Sequence, residues 1–145
     1  MMLTRFSDYS LRVLMFAALQ GDTPFCVSEV ASTYGLSKNH LAKVINRLVR
    51  SGHLKARRGR RGGVWLGRDP RSIRLGALVR LTENESPLVE CFAARSNRCR
   101  LTPACRLKGA LAQALDAFYC CLDQRTLADL VENRTTLGRL LQGES

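Results

Sequence analysis

Long apolar stretches are missing from this 145-residue chain: no run of 18 apolar residues occurs, so no membrane-spanning helix is expected. The first residues, MMLTRFSDYS, carry an acid and lack the basic-then-apolar layout of an export signal, so a cytoplasmic location is expected. Internal repeats and low-complexity tracts are absent. There are no paired carboxylates, no nucleophile–base motif and no phosphate-binding loop, and an enzyme is therefore not expected. Acidic residues are scarce, with 12 Asp/Glu against 23 Lys/Arg and a net charge of +11.

The location of that charge says more than its size. Residues 1–80 hold 15 Lys/Arg and 4 Asp/Glu, and therefore the whole +11, whereas residues 81–145 hold 8 of each. A basic excess confined to one half suits a face built for a polyanion, of which nucleic acid is the common one. Apolar residues make up 46% of the chain, enough for a globular core.

Leu3, Phe6, Leu11, Leu14, Met15, Ala18 and Leu19 recur at helical spacing and predict a helix over 3–20, ended by Gly21-Asp22-Thr23-Pro24. Ser28 reads as the N-cap of a second helix, which Gly35 breaks. Ser37 then caps a third, with Leu41, Val44, Ile45, Leu48 and Val49 as its apolar face. Two short helices joined by a tight glycine turn form a helix-turn-helix. Lys38, Asn39, His40, Lys43, Asn46 and Arg47 face outward on its second, recognition helix and, with Ser28 and Ser37, are the candidate DNA contacts.

Beyond Gly52 the segment from Leu54 to Leu66 reads as two strands around a glycine-rich tip. This wing carries Arg57, Arg58, Arg60 and Arg61, which suit a phosphate backbone or a narrow minor groove. A short helix is expected over Ile73–Leu81. The segment 82–105 is irregular. From Arg106 to Leu122 a long amphipathic helix follows, with a stripe of Leu107, Ala110, Leu111, Ala114, Leu115, Phe118 and Leu122. That stripe serves either a second copy of the chain or the core. Thr126 opens a final short helix. The fold class expected is mainly α: a winged helix-turn-helix with a two-stranded wing, a cysteine-bearing loop and a long dimerisation helix. The expected divisions are 1–80 for DNA binding, 81–105 for the loop, and 106–145 for dimerisation and the tail.

Six cysteines are present. Three of them, spaced Cys91-x7-Cys99-x5-Cys105, can wrap one ion or cluster. Zinc wants a fourth N or S ligand, yet the two histidines, His40 and His53, lie on or beside the recognition helix, and paired C-x2-C spacing is lacking. An iron–sulfur cluster fits the thiol set better, with a thiol/disulfide switch as the alternative. Cys26 is expected to be a small buried hydrophobe. Of the neighbours Cys120 and Cys121, one should face the helix stripe and the other solvent.

The segment Leu3-Thr4-Arg5-Phe6-Ser7-Asp8-Tyr9-Ser10-Leu11-Arg12, the helix pair from Val30 to Gly52, the Arg/Gly wing and Cys99-Arg100-Leu101-Thr102-Pro103-Ala104-Cys105-Arg106-Leu107-Lys108 together resemble the Rrf2 family of bacterial regulators, and within it the nitric-oxide-sensing repressors. The resemblance implies a homodimer on a two-fold double-stranded operator, with a [4Fe-4S] cluster (or a [2Fe-2S] cluster) in each subunit. It implies Cys91, Cys99 and Cys105 as ligands and Asp8 of the other subunit as the fourth. It also implies release of the operator when nitric oxide damages the cluster. An iron- or redox-responsive member of the same family is the alternative. Arg12, one turn beyond Asp8, is a candidate partner for that carboxylate when no cluster is bound. The chain departs from the family in two places. The Cys91–Cys99 gap is two residues longer than usual, and Lys108 stands where the branch regulating cluster assembly has a histidine.

Overall fold

The computed structural model describes residues 3–83, 87–93 and 95–143. Seven helices and one antiparallel hairpin follow one another among them: α1 (Arg5–Gln20), α2 (Val27–Tyr34), α3 (Lys38–Arg50), β1 (Leu54–Arg57), β2 (Gly63–Leu66), α4 (Leu75–Glu83), α5 (Arg106–Asp123), α6 (Leu127–Leu130) and α7 (Arg134–Leu141). The mainly α, winged architecture is the one expected from the sequence.

Helix α1 starts where Thr4 takes an extended conformation and accepts from the Ser7 backbone N–H, a side-chain cap. It buries Val13, Leu14, Phe16, Ala17 and Ala18 in the core it shares with α3, α4, β2 and α6. Helix α3 answers with Leu41, Val44, Ile45 and Leu48, all at most 4% exposed. Each such side chain removed from water contributes roughly 1.5–3 kcal/mol.

Helix α2 begins two residues earlier than the serine pattern suggests. Cys26, not Ser28, is its N-cap, and the Glu29 carboxylate accepts from the Cys26 backbone N–H in a capping box. The expectation of a buried Cys26 also fails, since its side chain is exposed. The reason lies one residue back. Phe25 pairs with Val64 of β2 through two backbone hydrogen bonds of 2.8 and 2.9 Å and turns its ring inward at 2% exposure, so the next residue points out.

In the wing, Leu54 lies opposite Leu66 and Arg57 opposite Gly63. Gly63 has φ of +152°, and a Cβ there would sit 2.8 Å from Pro24 Cβ, so glycine is needed where the wing meets the α1–α2 connection. A 3₁₀ turn at Pro70–Ser72, capped by the Asp69 carboxylate, then leads into α4, which starts at Leu75 rather than Ile73.

The C-terminal segment returns to this core. Leu127 is fully buried, and its N–H donates to the Ile73 carbonyl at 2.9 Å. A further helix, α7, forms in what reads as a tail, because Leu137 and Leu141 pack against the core and Arg134 donates to the Leu19 carbonyl at the end of α1. No described helix is long and apolar enough to cross a membrane.

Candidate functional site

The outward residues of α3 are all free to meet a ligand. Ser37, Lys38, Asn39, His40, Lys43, Asn46 and Arg47 are exposed, and the apolar residues between them face the core. Ser28 is exposed in the first turn of α2. Ser37 is the N-cap of α3, but its hydroxyl bonds no backbone N–H, so the donors of the helix start point outward unsatisfied by a side chain.

The wing arginines divide into two kinds. Arg58, Arg60 and Arg61 lie in the exposed tip. Arg57 ends β1, and its guanidinium donates to the Arg61 carbonyl at 2.8 Å, bracing the tip from within. The sequence pattern offered four equivalent tip arginines; the hairpin register makes one of them a brace.

A residue that the pattern did not single out joins the wing to the recognition helix. Arg68, just past β2, donates through Nη2 to the Ser51 carbonyl at 2.8 Å and through Nε to the Gly52 carbonyl at 3.2 Å. Beside it, Ser51 Oγ and His53 Nδ1 are 2.8 Å apart. Burial pushes the His53 imidazole below its usual value, and the Arg68 charge adds to that. No local motif marks such a clamp, because the partners are backbone carbonyls 16 and 17 positions away.

Asp8 sits in the first turn of α1, where the helix dipole favours an anion. Its Oδ1 accepts from Arg12 Nε at 3.0 Å, both side chains being 44% exposed. Arg12 also lies 5.9 Å over the Tyr34 ring, and the Tyr34 hydroxyl donates to the Arg12 carbonyl at 3.3 Å. Burial raises the Tyr34 phenol above its ordinary value, with Arg12 opposing. Tyr34 is the last residue of α2, directly before the left-handed Gly35 turn that leads to α3. The start of α1 is also tied to the end of α4. Thr4 N donates to Glu83 Oε1 at 2.7 Å, and Ser7 Oγ donates to Thr82 Oγ1 at 2.7 Å.

The cysteine loop begins beyond that tie. All six cysteines are free thiols; Cys91 and Cys105 are partly buried, while Cys99, Cys120 and Cys121 are exposed, so neither member of the last pair is sheltered. Cys91 lies in a 3₁₀ turn (Glu90–Phe92), and Cys105 follows another (Thr102–Ala104). The Cys99 backbone is held on both sides: its N–H donates to Asn97 Oδ1 at 3.0 Å, and its carbonyl accepts from Thr102 Oγ1 at 2.8 Å. Glu90 closes the longer Cys91–Cys99 segment by accepting from Arg98 N at 2.7 Å. Among the described residues of one chain, no three His, Cys, Asp or Glu side chains come together as a metal site. The donor set of three free thiols suits an iron–sulfur cluster chemically, but one chain by itself does not gather it with Asp8.

Helix α5 leaves the loop with its stripe only partly covered. None of its 18 residues is buried, and Leu107 is 65% exposed. It is anchored to α4 instead. Arg80 bonds Asp123 at 2.8 Å and lies 4.4 Å over the Tyr119 ring, and Gly76 lets the two helices close.

Comparison with known proteins agrees with this arrangement. A family model described as Rrf2, an iron-dependent transcriptional regulator, matches residues 3–133. The HTH-type transcriptional regulator NsrR of Geobacillus kaustophilus is 46% identical over 143 residues, covering 98% of this chain and 97% of its own length. The protein of the same name from Bacillus subtilis is also 46% identical, covering 98% of each. Among solved structures, T. potens IscR shares the fold with a TM-score of 0.73 at 24% identity, over 92% of this chain and 88% of that one. CymR, the global cysteine regulator of B. subtilis, has a TM-score of 0.71 at 25% identity, over 92% and 98%. With a winged helix-turn-helix bearing the basic charge and relatives named as transcriptional regulators rather than enzymes along nearly its full length, the chain belongs to the Rrf2 family of DNA-binding transcriptional regulators.

Proposed function

We propose that this regulator is a cytoplasmic, iron–sulfur-dependent repressor that acts as a homodimer on a two-fold operator and releases it in response to nitric oxide. The observation that carries the reading is the placement of three free thiols in one loop whose entry, at Thr82 and Glu83, is hydrogen-bonded to the helix start that bears Asp8. In this reading Cys91, Cys99 and Cys105 of one chain and the Asp8 carboxylate of a second copy hold a [4Fe-4S] cluster, or a smaller [2Fe-2S] one. When bound, the cluster supplies iron that reacts with nitric oxide. The family's description as iron-dependent supports the metal, and the resemblance of the Asp8 and Cys99–Cys105 segments to the nitric-oxide-sensing branch supports the signal.

The chain's own residues supply the coupling. An Asp8 that reaches to a second copy leaves Arg12, and Arg12 packs on Tyr34 at the entrance to the turn that aims α3. The second copy is expected on the α5 stripe, where covering Leu107, Leu111, Leu115 and Phe118 gains about 25 cal/mol per Å² of apolar surface removed from water. Residues 1–80 then bind DNA through Ser28, Ser37, the outward face of α3 and the wing arginines. Residues 81–105 hold the cluster, and residues 106–145 pair the chains. Two heads fixed to one another read two half-sites one DNA turn apart.

The test is anaerobic purification with iron and sulfide assays, followed by nitric oxide titration of the visible spectrum and of DNA binding. Brown protein whose DNA affinity falls as its spectrum bleaches supports the reading. The three thiols are free and so open to oxidation, which is the basis of a second reading, a cluster-free thiol switch. Colourless protein that releases DNA on oxidation and recovers with reductant selects that one. Release on iron chelation alone selects an iron-responsive regulator.

A further inference from the structure

We infer that Arg68 is the positioning residue that sets the wing against the recognition helix, and that it determines operator specificity without touching DNA. The last carbonyls of any helix lack partners and carry its negative end. Directly beyond α3 the carbonyls of its C-cap Ser51 and of Gly52 in the following turn are taken by one guanidinium, at 2.8 and 3.2 Å. The residue before it adds a third link: Gly67 N donates to the His53 carbonyl at 2.8 Å. Thus two consecutive residues at the exit of β2 grip all three residues of the turn that joins α3 to β1. The grip is close-fitting. Gly52 has φ of +74°, a Cβ on it would lie 3.3 Å from Arg68 Nη2, and a Cβ on Gly67 would lie 2.7 Å from the Gly52 carbonyl.

The alternative for an exposed arginine in a basic domain is a phosphate contact. The geometry disfavours it, because Nε and Nη2 of the guanidinium are already donating to carbonyls of the same turn. A planar fork meets two carbonyls at once, whereas a lysine ammonium is a point charge that serves a phosphate but not this pair. The wing and α3 must reach their DNA contacts together, so their relative angle bears on specific binding and far less on loose electrostatic binding.

The experiment compares wild type with Arg68→Lys and Arg68→Gln. It uses a duplex selected by the wild-type protein from a random pool, a random duplex of equal length, and a series of salt concentrations. The expected result for Arg68→Lys is a loss of about tenfold in affinity for the selected duplex, the scale of losing one charged hydrogen bond. Affinity for the random duplex and the salt slope are expected to stay at wild-type values, and Arg68→Gln is expected to show the same selective loss. Trp65, the single tryptophan, lies in β2, so its fluorescence anisotropy reads the wing without DNA and is expected to fall in both variants. Restoration of wild-type binding by lysine, or equal losses on both duplexes in Arg68→Gln with the salt slope reduced by about one, would make Arg68 a phosphate contact and overturn the inference. Unchanged Trp65 anisotropy with unchanged selectivity overturns it as well.

Discussion

Asp8 and Arg12 face each other across one turn of α1, with Nε and Oδ1 3.0 Å apart, and the same arginine lies over the ring of Tyr34 at the mouth of the helix-turn-helix. One exposed ion pair thus touches both the carboxylate proposed as a ligand and the turn that aims the recognition helix. As an ion pair it adds little to the fold, since exposed i,i+4 pairs contribute about 0.3–0.5 kcal/mol.

Replacement of Asp8 by alanine separates the two roles. Thermal unfolding of the iron-free protein should stay within about 0.5 kcal/mol of wild type. DNA affinity of the anaerobically purified, iron-loaded variant should drop toward that of iron-free protein. An iron-loaded Asp8→Ala that binds DNA and responds to nitric oxide as wild type does removes the cross-subunit ligand from the proposal.

The wing arginines should differ in kind. Alanine at Arg58, Arg60 or Arg61 is expected to weaken binding to all sequences alike and to reduce the salt slope by about one each. Alanine at Arg57 also frees the Arg61 carbonyl and loosens the tip, so it should lower affinity with a smaller change in slope than its neighbours. Affinity measured against salt concentration for the four variants checks this.

Gly76 lies where α4 and α5 touch. A Cβ there collides with the Asp123 carboxylate and stands 2.8 Å from the Tyr119 carbonyl, which as backbone cannot turn aside. Gly76→Ala should destabilise the fold by about 1–3 kcal/mol. It should also open the Arg80–Asp123 pair, and urea unfolding of this variant beside Arg80→Ala tests whether the losses overlap, as shared contacts require.

Stability should rise with pH through the histidine range. The folded protein holds His53 below its ordinary 6.5, chiefly by burial, so on acidification the unfolded chain takes the proton first. The stabilisation is complete above the ordinary value and is lost as pH falls through it toward the folded value. Urea midpoints at about pH 7.5 and 5.5 should therefore differ, and His53→Gln should reduce the difference. An undiminished difference in that variant excludes His53 as its source.

Much of this architecture is legible in the sequence alone. The helix over α1, the glycine-broken pair α2 and α3, the hairpin and the long α5 all follow from periodicity and breakers, because each depends on neighbours a few residues apart. The outward face of α3 is legible for the same reason: a period of 3.6 residues fixes which side chains share a side. Other features were hidden because they rest on partners distant in sequence. Cys26 is exposed because Phe25 pairs with Val64 of β2, and α7 forms on the apolar surface at the end of α1.

The sequence by itself determined the class of protein: a basic half bearing a winged helix-turn-helix, followed by a neutral half with three thiols in a loop and an amphipathic helix. Charge placement and local periodicity carry that information at short range. Only the tertiary structure decided that the wing exit is clamped by Arg68 to the turn that ends the recognition helix, that Arg57 braces rather than reaches, and that Glu83 and Thr82 tie the end of α4 to the Asp8 end of α1. These are hydrogen bonds to backbone atoms or between side chains up to 79 positions apart. No spacing rule encodes them, because their geometry exists only once the helices have packed.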